Sequence, residues 1–105
     1  MIFIETPVFT KLVEDLLPHD SYVNLQHTLL LRPDTGMIIP GSGGLRKIRW
    51  GLDQKGKRGG LRVIYYWDKP NEHIYMLIVY RKSEREDLTP EQIRTLRTLI
   101  KEYLA

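Results

Sequence analysis

Seven of the sixteen lysine and arginine residues lie in one short stretch: Arg46, Lys47, Arg49, Lys55, Lys57, Arg58 and Arg62, opposed there by Asp53 alone. Residues 1–45 are net acidic and residues 63–105 balance seven charges of each sign, so the overall charge of +3 comes from this stretch. A focused patch attracts polyanions far better than the same charge spread evenly. A solvated basic loop would read the same way, so the pattern needs chemistry beside it. Alternation along Leu45–Trp50 puts Lys47 and Arg49 on one strand face, and Ile48 with Trp50 on the other. Arg62 opens the next strand, and Arg81 and Lys82 leave the end of the last. Tyr65, Tyr66 and Tyr80 are expected beside them on one concave surface. Fixed cations next to aromatic rings suit an RNA backbone whose bases are free to stack.

The same set suits a reaction. Cutting RNA without a metal requires in-line attack by a 2′-hydroxyl on the adjacent phosphate. Charge must then be stabilised on the phosphorane, a proton removed from the hydroxyl and another given to the leaving 5′-oxygen. Arginine and lysine supply the first effect directly. A lysine crowded by other cations exchanges protons nearer neutrality than an isolated one. Other chemistries fit less well. His19, His27 and His73 share no metal-ligand spacing and read as surface or satisfied core residues. With no cysteine in the chain, a disulfide framework, a thiol nucleophile and a thiolate zinc site are all excluded. Gly41-Ser42-Gly43-Gly44 lacks the lysine and hydroxyl of a phosphate loop and leads into a strand. Glu84, Glu86 and Asp87 read as acids placed to favour the start of a following helix.

The elements that must position these groups fit one domain over residues 1–105. At 42% apolar and 28% charged residues, the composition is that of a globular chain with one modest core. The longest apolar run, Ile74–Tyr80, is strand-sized, and no leader is read at Met1–Glu5, so a cytoplasmic protein without membrane association is expected. Ile2–Ile4 predicts a strand. Thr6-Pro7 starts a helix whose stripe is Phe9, Leu12, Val13, Leu16 and Leu17, ended by Pro18. A second helix, capped by Asp20 or Ser21 and stopped at Arg32-Pro33, turns Tyr22, Leu25 and Leu29 inward. Pro40–Gly44 reads as a flexible loop. Strands follow over Leu45–Trp50, Leu61–Trp67 and His73–Tyr80, with residues 51–60 as a long hairpin loop. Thr89-Pro90-Glu91-Gln92 is a capping-box start for a last helix, striped by Ile93, Leu96, Ile100 and Tyr103. The predicted class is α+β in the order β-α-α-β-β-β-α: an antiparallel β-sheet with an N-terminal helical hairpin and a C-terminal helix, all helices on one side.

Three segments then stand out together: Gly43-Gly44-Leu45-Arg46-Lys47-Ile48-Arg49, Gly56-Lys57-Arg58-Gly59-Gly60-Leu61-Arg62-Val63-Ile64-Tyr65-Tyr66, and Tyr80-Arg81-Lys82-Ser83-Glu84. In combination they resemble bacterial type II toxins of the RelE/ParE superfamily, nearest the HigB-like branch, over essentially the whole chain. The resemblance implies a RelE-like fold and a toxin that enters the ribosomal A site and cuts the mRNA codon there, with no metal or other cofactor. By position, Lys47 and Arg49 match the cations before the hairpin, Arg62 the arginine that holds the scissile phosphate, and Lys82 the cation after the last strand. RelE itself has a tyrosine implicated in activating the 2′-hydroxyl; here that place falls near Leu88. Tyr80, Lys47 and Lys82 are the candidate proton acceptors, with Glu84 a weaker one.

The expected catalytic set is therefore Lys47, Arg49, Arg62, Lys82 and Tyr80. Arg46, Lys55, Lys57, Arg58 and Arg81 are expected to bind ribosomal RNA and mRNA. Lys47, Lys57, Arg62 and Lys82 are all expected at exposed positions. The resemblance also implies a cognate antitoxin, a small helix-turn-helix protein through which alone the toxin would meet operator DNA. The net-acidic, apolar-striped segment 6–31 suggests that part of its contact lies away from the cations. Two alternatives remain. One is a ParE-like poison of DNA gyrase on the same fold, which would not need these cations; the other is an RNA-binding module without catalysis.

Overall fold

A computed structural model of the protein describes residues 1–51 and 60–105. Its elements are β1 (Ile2–Glu5), α1 (Pro7–Leu16), α2 (His19–Leu31), β2 (Met37–Ile38), β3 (Arg46–Trp50), β4 (Leu61–Asp68), β5 (His73–Arg81) and α3 (Pro90–Leu104). The strands form one sheet in the order β1-β5-β4-β3-β2. This is the α+β arrangement expected, with two N-terminal helices and one C-terminal helix, and it is consistent with a RelE-like fold. No helix among the described residues is long and apolar enough to cross a membrane.

Three features differ from the sequence expectation. The sheet is mixed: β2 to β5 pair antiparallel, but the edge strand β1 runs parallel to β5. β2 is an additional strand, two residues long and opposite Arg46 and Lys47. Its Met37 and Ile38 are exposed, so it shows no alternating burial from which to read a strand. The helices also divide between the faces. α1 and α2 cover Leu61, Val63, Tyr65, Ile74 and Met76, whereas α3 packs on Ile64, Tyr75, Leu77 and Tyr80 opposite.

Local chemistry explains most boundaries. Thr6 caps α1 by accepting from the Phe9 amide at 3.0 Å, with Pro7 at the first helical position. α2 begins instead after Pro18, with no side-chain cap: Asp20 lies in its first turn, and the Ser21 hydroxyl accepts from Trp50 Nε1 at 3.0 Å. Thr89 and Gln92 form the expected capping box of α3. The Pro40–Gly44 segment is built, not featureless. Buried Ser42 accepts from the Leu45 amide at 3.0 Å and donates to Ile39 O, while Gly41, Gly43 and Gly44 adopt the positive φ that the turn requires.

A bulge in β5 ties the start of α1 to the sheet. Tyr65 pairs with Met76 and Ile64 with Ile78, leaving Leu77 as an extra residue. The Leu77 carbonyl accepts from the Thr6 hydroxyl at 2.8 Å, so the residue that caps α1 also secures the bulge. Beyond the bulge the alternation resumes with Val79 toward α1 and α2, and Tyr80 toward the opposite face.

Candidate functional site

Pairing between β3 and β4 sets Lys47 against Ile64 and Arg49 directly against Arg62; Arg62 in turn lies opposite Tyr80 of β5. Alternation puts all five on the face that carries α3, with Ile64 and Tyr80 in the layer under that helix and Lys47, Arg49 and Arg62 outside it. Two guanidinium groups directly opposite each other destabilise a sheet unless an anion is near. The arrangement is therefore costly as structure and calls for a negatively charged occupant. Arg49, Trp50, Gly51, Gly60, Arg62 and Lys82 line a small notch in which three cations converge. Lys82 is held there by its amide, which donates to Gly60 O at 3.1 Å and extends the β4–β5 pairing by one residue.

Contrary to the expected exposure, Arg62 is buried, with only 4% of its surface accessible. A buried guanidinium needs a partner, because an unpaired charge in a low-dielectric setting is costly. Glu86 supplies it: Arg62 Nε lies 3.0 Å from Glu86 Oε2 and Nη2 lies 3.4 Å from Oε1, while Nη1 reaches Leu61 O at 3.4 Å. Lys47 Nζ lies 2.5 Å from Asp87 Oδ1 and 4.0 Å from Glu86 Oε2. The Arg62 hydrogen bond holds the Glu86 carboxyl below its ordinary value, and the Lys47 hydrogen bond does the same for Asp87. These two acids are what sequence reasoning missed. Their position before α3 suggested a helix-start role, and only the turn from Arg81 to Thr89 folds them back over β3 and β4.

Tyr80 lies at this site but is nearly buried, and its hydroxyl donates to the Glu86 carbonyl at 3.2 Å. Burial pushes its phenol up, with the nearby Asp87 charge adding to the effect. That environment favours the protonated phenol, the opposite of what a proton acceptor needs. Leu88 is buried with Ile100 under α3 and offers no acid–base group.

The other expected residues scatter. Arg46 faces the side of Ile48 and Trp50; its Nη1 donates to Gly36 O at 2.7 Å and holds the segment leading into β2. Tyr65 is fully buried on that face, donating to Pro33 O at 2.7 Å and accepting from the Gly36 amide at 2.8 Å. Gly36 is needed there, since a Cβ would lie 2.8 Å from the Tyr65 ring. Tyr66 packs on the α3 side near Gly44. Arg81 and Glu84 line a separate groove with Leu12, Asp15 and Leu16. Lys55, Lys57 and Arg58 lie outside the described residues. Among the described residues no cluster of three or more histidine, aspartate or glutamate side chains could hold a metal ion. Of the histidines, His73 departs from expectation: its Nδ1 is buried without a hydrogen-bond partner among the described residues.

A scan against protein-family models matches none of them.

Proposed function

We propose that the protein is the toxin of a type II toxin–antitoxin pair, a ribosome-dependent endoribonuclease that cuts mRNA in the A site. The observation that carries this reading is the convergence of Arg49, Arg62 and Lys82 on one notch, with Lys47 two residues from Arg49 along β3 on the same face. In this reading Arg62 takes the scissile phosphate on its Nε and Nη2 edge, a fork that fits a phosphate's two oxygens as it fits a carboxylate's. Arg49 and Lys82 oppose the charge that builds on the phosphorane. Lys47 or Lys82 moves the proton, since Tyr80 is held as a phenol. Arg46 leaves the binding set and acts on the fold instead. A small acidic-surfaced antitoxin remains the expected partner.

The test is cleavage by the purified protein of one message, free and bound on ribosomes, at equal enzyme concentration. Cutting confined to ribosome-bound message is the expected result, and equal cutting of free message removes the ribosome from the proposal.

A further inference from the structure

The Nε–Nη2 fork of Arg62 is already taken by Glu86. Nε and Nη2 are both engaged by the Glu86 carboxylate, and Nη1 turns back to Leu61 O. An incoming phosphate that uses the same fork must displace that carboxylate. We propose that Glu86, with Asp87 beside it, is an internal phosphate mimic that holds the site against small anions and sets the polyanion threshold for opening it. The proposal rests on the reading of Arg62 as a phosphate ligand and names what regulates access to it.

The construction of the turn supports a latch rather than a fixed orienting pair. Arg62 is on a central strand and is buried, so its placement comes from the sheet. Glu86 sits on an irregular turn, with a side chain 48% exposed against 5% for Arg62. Its backbone is anchored by Tyr80, whose hydroxyl holds the Glu86 carbonyl. Release of the carboxylate therefore needs rotation of the side chain into water and a second anion to take its place on buried Arg62, with the turn staying in place. Asp87, also largely exposed, holds Lys47 in the same manner.

The consequence is selective. A tethered carboxylate competes at an effective concentration in the millimolar range, which a single free phosphate meets on equal terms and does not readily displace. A chain of phosphates gains contacts elsewhere: Arg49 and Lys82 make no ion pair among the described residues and are available to it. Those extra contacts offset the loss of the Arg62–Glu86 pair. Tyr80 acquires a role as well, as a positioning residue that keeps the latch over Arg62.

The probe is a ten-nucleotide single-stranded RNA, 2′-O-methylated so that it is not cut, with affinity read by fluorescence anisotropy at fixed salt. Glu86→Gln is expected to bind it about tenfold more tightly than the wild type, the effect of freeing one charge-assisted fork. In an Arg62→Gln background the same change should gain no more than about twofold, the remainder due to net charge. Equal or weaker binding by Glu86→Gln overturns the latch, as does an undiminished gain without Arg62. Absence of probe binding to both proteins overturns it too. Should Arg62→Gln fail to fold, the wild type suffices: the Glu86 side-chain carbon resonance should titrate below 4.5 when free and return toward 4.5 with saturating probe. No change on saturation overturns the proposal. Cleavage on ribosomes is scored separately, so a protein that binds through the latch but never cuts defeats the proposed function alone.

Discussion

The two faces of this sheet are made by the same strands and have opposite fates. On one, α1 and α2 seal Leu61, Val63, Tyr65, Ile74 and Met76 into a dry layer with Phe9, Leu25 and Leu29. On the other, α3 covers Ile64, Tyr75 and Leu77 but leaves the Lys47, Arg49 and Arg62 end open. β3 and β4 thus contribute apolar residues to a core and, on the reverse side, cations to a charged floor. Charge accumulates where the second helical layer stops. The acids that answer it come not from the sheet but from the turn that leads into α3. The fold spends its closed face on stability and keeps the open one for anions.

The strongest way to break this comparison is to cut into the closed face. Leu25 is fully buried between α2 and the sheet. Leu25→Ala should cost about 2–5 kcal/mol of unfolding free energy, measured by urea denaturation. Cleavage per folded molecule should not change. Loss of activity exceeding the unfolded fraction would show that the two faces are coupled.

Next comes Arg62, the residue that belongs to both descriptions, buried yet functional. Arg62→Ala should lower single-turnover cleavage on saturated ribosomes by roughly 10²–10³-fold, the scale for losing one transition-state donor. Unlike a surface substitution, it should also lower the melting temperature measurably, because it removes a buried charge's packing and strands the Leu61 carbonyl contact. Lys47→Ala and Lys82→Ala should reduce the saturated rate without a comparable loss of stability. A wild-type rate for Arg62→Ala once bound would reduce Arg62 to a ligand for the resting protein's own Glu86.

Tyr80 sharpens the boundary between the faces. Its hydroxyl bonds to a carbonyl and burial favours the phenol, so Tyr80→Phe should leave the saturated cleavage rate within about threefold of wild type, while loosening the turn. A fall of a hundredfold or more would restore Tyr80 as the group that moves the proton.

Periodicity carried most of the architecture. The alternation of Lys47 and Arg49 against Ile48 and Trp50 placed the cations on one face, and Thr6-Pro7 and Thr89-Pro90 marked two helix starts by local chemistry alone. What remained hidden depends on tertiary choice. Nothing local says which face α3 takes, since its stripe would suit either. The parallel β1–β5 pairing joins residues as distant in sequence as Ile2 and His73, and the Leu77 bulge is held by a hydroxyl 71 positions away. The same holds within the site. Strand spacing brought Lys47, Arg49 and Arg62 together, while the same alternation along β4 sends Tyr65 with Leu61 and Val63 to the opposite, closed face. Glu86 and Asp87 were legible as acids near a helix start; their partners, 24 and 40 residues away, were not.

The smallest effect is the contribution of those acids to folding. Glu86 and Asp87 have folded-state values below the ordinary 4.5 and 3.8, because Arg62 and Lys47 favour their charged forms. A carboxylate with a depressed value contributes stability that is present above its unfolded value and lost as the pH falls through its folded one. The window therefore lies at and below about pH 4.5, the ordinary glutamate value. Glu86 is half-exposed and Asp87 largely exposed, so solvent screens both carboxylates and their charge contribution is reduced accordingly. The double variant Glu86→Gln with Asp87→Asn should melt a few degrees below wild type at pH 7. The two curves should converge as the wild-type acids take up protons, and the pH 7 difference should shrink as salt is raised. A difference that persists unchanged at pH 2 would mean that the side chains stabilise the turn by packing instead of charge. The open face would then be held together by the same means as the closed one.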